Sequence, residues 1–189
     1  MDSDIELMLR AKSGDDGAFS ELMRRHYKGV VNYIYRYTNL KENSEDLAQE
    51  VFLRIYRVRK HYRPEAKFST WLYKIATNVS LTHVKKKNNN LSLDELSDNT
   101  GEIGDEALEI ADDLIYRKEI KDVIFEAMES LPEREKVAIM LCKYEGLSYE
   151  ETAEVLECTV GAVKAYVHRG RMKLIYRLKP YLSGGEHGV

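Results

Sequence analysis

The chain has 189 residues, 43% of them apolar, and a formal charge of −3 from 29 Lys and Arg against 32 Asp and Glu. That length suits one ordinary domain or two small ones, and a slightly acidic average taken alone argues against a nucleic-acid partner. The longest unbroken apolar run, VAIMLC, is far too short to cross a bilayer, and the acidic start MDSDIELMLR lacks the apolar stretch of a signal peptide.

The average hides a partition. Residues 1–90 hold 17 Lys/Arg and 11 Asp/Glu, residues 91–116 hold 9 Asp/Glu and no base, and residues 117–189 hold 12 of each. Such segregation says more about partners than the total does. Cys142 and Cys158 have no metal-ligand spacing and read as free thiols of a reducing cytosol. The expected protein is cytoplasmic.

Helical periodicity dominates, with three prolines and no run of strand alternation. From Ala18 to about Lys87 apolar residues recur three and four apart. Leu22, His26, Val30 and Tyr33 form one stripe, Leu47, Val51, Ile55 and Val58 a second, and Leu72, Ile75 and Val79 a third. Three or four helices around a shared core are expected. On the second helix Asp46, Gln49, Glu50 and Leu53 fall outside the stripe. That mixed face suits plain solvent or a basic partner helix, and the residues alone leave both open.

Pro64 predicts a loop across His61–Lys67, and a helix follows from about Ser69 towards Lys87. This stretch interleaves Trp71, Tyr73, Lys74, Asn78, His83, Lys85, Lys86 and Lys87. Rings that stack on bases and cations that follow phosphates are what single-stranded nucleic acid requires. A buried Trp71 and a solvated lysine run at a helix C-terminus would look the same. From Asn88 to Asp113 the chain turns acidic and rich in Asn, Ser and Gly, which predicts a linker with transient helix near Asp105–Ala111. Helical periodicity returns from about Leu114 to Leu182, and SGGEHGV is expected to be a disordered tail.

The last helical stretch, LSYEETAEVLECTVGAVKAYVHRGRMKL, has helix-turn-helix grammar. Ser148 and Glu151 fit a capping box, Ala153 leaves room for a crossing helix, and Thr159 can cap the second helix. At 100° per residue Val160, Val163, Val167 and Leu174 share one face. Gly161, Lys164, His168 and Arg171 line the adjoining face, flanked by Arg169 and Lys173. A basic front on an apolar back suits the major groove. Glu157 departs from the pattern, because its turn position usually carries Gly with φ > 0. Either Glu157 adopts that conformation or the turn is reshaped.

SEDLAQEVFLRIYR, FSTWLYKIATN, LPEREKVAIML and GLSYEETAEVL…VGAVKAYVHRGRMKL, in this order, resemble the extracytoplasmic-function (ECF, group 4) class of bacterial sigma factors of the sigma-70 family. The resemblance implies an all-α fold of two small helical domains: a region 2 bundle at 1–90, an acidic linker at 91–114, a region 4 helix-turn-helix domain at 115–182, and a tail at 183–189. It implies a function in promoter-specific transcription initiation, with core RNA polymerase and double-stranded and melted promoter DNA as partners. An anti-sigma factor, in that family often a membrane protein, is a further expected partner.

By motif position the polymerase clamp would meet Asp46, Gln49, Glu50, Leu53 and Arg54. The minus-ten element would meet His61, Tyr62, Arg63, Lys67, Phe68, Trp71, Lys74, Asn78, His83, Lys85, Lys86 and Lys87. The minus-thirty-five element would meet Thr159, Gly161, Lys164, His168, Arg169, Arg171 and Lys173. The alternative is a helix-turn-helix regulator that is not a polymerase subunit. No phosphate-binding Gly loop, metal-ligand set or nucleophile elbow stands in the sequence, so no enzyme, cofactor, metal or small-molecule substrate is expected.

Overall fold

Ser3 starts the first helix with a full capping box. Its hydroxyl accepts from the Glu6 N–H at 3.3 Å and its own N–H donates to the Glu6 carboxylate at 2.6 Å. The resulting α1 (Asp4–Lys12) buries Leu7, Met8 and Ala11. In the computed structural model, which describes residues 3–91 and 111–182, every regular element among the described residues is helical. After α1 come α2 (Asp16–Thr38), α3 (Lys41–Val58), a 3₁₀ turn (Arg59–His61) and α4 (Phe68–Leu91). The second unit holds α5 (Ala111–Glu129), α6 (Glu133–Ile139), a π-turn (Met140–Tyr144), α7 (Tyr149–Leu156) and α8 (Val160–Leu182). The predicted linker at 91–114 lies largely outside the described residues, as does the tail at 183–189. No described helix is long and apolar enough to cross a membrane.

The three stripes form the core of the first unit, with small rotations. Leu22, Val30, Tyr33 and Ile34 of α2, Val51, Phe52 and Ile55 of α3, and Leu72, Ala76 and Val79 of α4 are buried. Val58 is 40% exposed, because Ala48 and Phe52 take the inward positions beside Val51 and Ile55. His26 stands at the rim of its stripe and meets the Asp4 carboxylate at 2.7 Å. Arg25 reaches the same carboxylate at 3.0 Å, which ties α1 to α2. The fully buried Tyr33 hydroxyl lies 2.7 Å from the Thr77 hydroxyl, so a core polar group is matched between α2 and α4.

In the second unit α8 crosses α6 at Gly170. A Cβ there would sit 2.5 Å from the Ile139 Cδ1, so any larger residue forces the Ile139 side chain to move. Ile139 is buried, which limits how far it can yield. Gly170→Val is expected to cost about 1–3 kcal/mol of stability by overpacking. A denaturant titration of the variant against the parent measures it, and an unchanged midpoint would mean that α6 and α8 separate without cost.

The two units are not held apart. Met128, Leu131, Val137, Ile139, Met140, Leu141, Leu147 and Val155 belong to the same contiguous apolar cluster as the core of the first unit. α7 packs on α4, and Lys136 of α6 donates from Nζ to the Tyr37 carbonyl at 2.8 Å.

Candidate nucleic-acid and polymerase interfaces

The helix-turn-helix forms as its caps dictate. Ser148 and Glu151 exchange hydrogen bonds at 3.1 and 2.7 Å, and the Thr159 hydroxyl accepts from the Ala162 N–H at 3.2 Å. Ala153, Val163 and Val167 bury together with Ala138. Glu157 adopts φ 51°, ψ 53°, so the turn keeps its left-handed residue and the glutamate tolerates it. For a non-glycine residue that costs on the order of 1 kcal/mol. The Glu157 carboxylate lies 2.8 Å from the Lys74 Nζ of α4, an ion pair that glycine could not make. This hydrogen bond to Lys74 holds the Glu157 carboxyl below the usual range.

On α8, Gly161, Lys164, His168 and Arg171 are all exposed, on the face adjoining the buried Val163 and Val167. The predicted basic front is therefore present and open. Its flanks are engaged otherwise. Arg169 and Lys173 reach the two oxygens of Glu135 at 3.0 and 2.9 Å. Glu135 is only 5% exposed, and a carboxylate buried to that degree needs cationic partners. Burial opposes its ionisation, but Lys173 and Arg169 outweigh that and lower its pKa. Arg169 and Lys173, read from sequence as DNA contacts, thus fasten α8 to α6 in this structure.

The outward face of α3 is equally plain. Asp46, Gln49 and Leu53 are exposed, Leu53 by 49%. Arg54 donates to the half-buried Glu50 at 2.6 Å, one helical turn away. This hydrogen bond lowers the Glu50 pKa. Between α3 and α4 a shallow groove is lined by Arg54, Arg57, Val58, Ile75 and the predicted Asn78. Arg57 escaped the sequence reading because nothing in a linear pattern says which side of one helix meets which side of another.

The aromatic segment divides. Phe68 and Tyr62, read from sequence as minus-ten contacts, are 1% and 3% exposed, so neither ring is open to a base in this structure. The reason is geometric. The loop folds back over the bundle, pinned by the Lys12 Nζ on the Tyr62 carbonyl at 2.8 Å, and its aromatic side chains seal the end of the core. Trp71 is half-buried against Tyr62 and Phe68, with ring centroids 5.2 and 6.3 Å away. His61, Arg63 and Lys67 are exposed on the loop, and Lys85, Lys86 and Lys87 are exposed near the end of α4. His83 differs from those lysines. Partial burial and then Lys87 and Lys86 push its pKa below the ordinary value, and its Nε2 lies 3.5 Å from the Asn43 amide nitrogen.

One cluster has no counterpart in any local motif. Glu145, placed just after the π-turn, is a partly buried carboxylate that accepts from the Tyr73 hydroxyl and from Arg36 at 3.1 Å. Desolvation raises its pKa, against the opposing pull of Tyr73 and Arg36. Lys67 of the loop meets Glu151 at 3.0 Å.

Family comparisons agree with this arrangement. Residues 22–90 match sigma-70 region 2, and residues 121–174 match sigma-70 region 4. The RNA polymerase sigma-H factor of Pseudomonas aeruginosa is 31% identical over 186 residues, covering 96% of each chain. The ECF RNA polymerase sigma-E factor of Escherichia coli is 31% identical over 185 residues, covering 95% of this chain and 96% of its own. Among solved structures, CnrH in complex with the cytosolic domain of CnrY superposes with a TM-score of 0.71 at 22% identity, over 95% of this chain and 99% of that one. The sigma factor RpoE of Bartonella quintana, in complex with the anti-sigma factor NepR, gives 0.67 at 19% identity, over 85% and 96%. These two likenesses speak to fold. The chain belongs to the sigma-70 family of RNA polymerase sigma factors, in its ECF class.

Proposed function

We propose that this sigma factor divides its work over three surfaces. Asp46, Gln49, Glu50, Leu53 and Arg54 dock the clamp of core RNA polymerase. His61, Arg63, Lys67, Trp71, Lys74, Asn78, Lys85, Lys86 and Lys87 hold the minus-ten element as it opens. Thr159, Gly161, Lys164, His168 and Arg171 read the minus-thirty-five groove. One observation carries the clamp and minus-thirty-five assignments: the α3 and α8 faces named here are solvent-facing on helices whose other sides bury core residues, so each is available without unfolding.

Opening needs no catalytic residue. Capture of unstacked bases stabilises the melted strand and leaves the duplex unfavoured, which shifts the equilibrium. The boundaries proposed are 1–90 for the first unit, 91–114 for the linker and 115–182 for the second unit. The protein acts in the cytoplasm, where polymerase and promoters are. An anti-sigma factor is proposed as its partner, because related folds were solved as complexes with CnrY and with the anti-sigma factor NepR.

Mixed with core polymerase, the protein is expected to start promoter-dependent run-off transcription from a subset of the genome's promoters. Background signal with every promoter tested would sink the reading.

A further inference from the structure

Three carboxylates on one edge of the second unit meet the first unit. Glu145 accepts from Tyr73 and Arg36, Glu151 meets Lys67 at 3.0 Å, and Glu157 meets Lys74 at 2.8 Å. Tyr73 and Lys74 lie on α4, and Lys67 immediately precedes it. A carboxylate on a lysine ammonium occupies the place that a phosphate oxygen would take. Elsewhere the chain stays open, since Leu53 of α3 and Lys164, His168 and Arg171 of α8 are exposed.

We propose that Glu151 and Glu157 stand in for nucleic-acid phosphates on Lys67 and Lys74, with Glu145 holding the same edge against Tyr73 and Arg36, so that the free chain masks its own minus-ten surface. The masking rests on the assignment of Lys67 and Lys74 to that surface. Minus-ten contact then requires the two units to part, or at least these two lysines to be released. The clamp face and the recognition face need no such release, so polymerase docking can come first. The apparent affinity of free protein for a single strand is its intrinsic affinity scaled by the released fraction. Glu157 acquires a purpose here: a left-handed turn that favours glycine carries an acid because the acid reaches Lys74.

The test uses the full chain and a fluorescein-labelled, random-sequence, single-stranded DNA 12-mer at low salt. E151Q/E157Q removes the negative charge facing each of the two lysines, and glutamine at 151 preserves the capping box. E150Q/E154Q makes the same charge change at exposed positions of the same helix. Anisotropy reads affinity, and small-angle scattering reads the radius of gyration. The expected result is an affinity gain of about 2- to 30-fold for E151Q/E157Q, matching the loss of two exposed ion pairs, with E150Q/E154Q close to the parent. A larger radius of gyration in E151Q/E157Q would add that the units part. The affinity gain without it would support masking by local competition for the two lysines. Equal gains in both variants would reduce the effect to general charge and overturn the proposal. No gain with a larger radius would mean that the units part but Lys67 and Lys74 do not hold nucleic acid, which removes that part of the minus-ten assignment. No change in either readout would overturn the masking alone.

Discussion

Replacing Lys164 and Arg171 together by alanine is expected to lower the affinity of polymerase-bound protein for minus-thirty-five duplex by at least about thirtyfold. Each good base contact is worth about 1–3 kcal/mol, and contributions from well-separated positions roughly add. The two residues lie two helical turns apart on α8 and both are exposed. Their loss leaves Val163 and Val167 in place, so the thermal midpoint should stay where it is. If one side chain holds a phosphate instead, the salt dependence becomes shallower by about one counterion. An anisotropy titration at several salt concentrations separates these contributions. Retained affinity with both side chains removed would show that the reading face lies elsewhere on α8.

The second large effect comes from adjacent residues with opposite fates. Phe52 is 1% exposed and Leu53 is 49% exposed on the same helix. Phe52→Ala removes a ring from a packed core and is expected to cost about 3–5 kcal/mol, enough to unfold much of a marginally stable domain. Leu53→Asp removes nothing from the core. It should leave the melting curve unchanged and abolish co-purification with core polymerase, because an unpaired charge would enter an apolar contact. Melting curves and pull-downs of both variants form a two-by-two comparison. A Leu53→Asp protein that still co-purifies would exclude α3 as the docking face.

Much of the molecule was legible in its linear pattern because the signals are local. Apolar spacing set the helices, and Ser148, Glu151 and Thr159 marked the helix-turn-helix through caps that need only their own neighbours. The basic front of α8 follows from the inward positions of Val163 and Val167. The linear pattern leaves a side chain's place open where it has two physically reasonable destinations. Tyr62 and Phe68 suit base stacking and core packing equally well by type. The fold of the loop, held by Lys12, selects the core. Arg169 and Lys173 suit phosphate by type, and the fold sets them on Glu135, more than thirty positions earlier.

By itself, then, the sequence determined the all-helical class, the two units, the order of their motifs and the open basic face of α8. Helical period and capping are properties of consecutive residues, and these residues agree with one another. Only the tertiary structure decided which charges are free. Glu157 is the clearest case: in the chain it is an acid where glycine is expected, and in the fold it is the partner of Lys74. Ion pairs join residues that sequence separation does not relate, so which groups meet is set by how whole helices dock. Here that docking carries Glu151 and Glu157 onto Lys67 and Lys74, just before and on α4, and sets Glu145 against Tyr73 of the same helix.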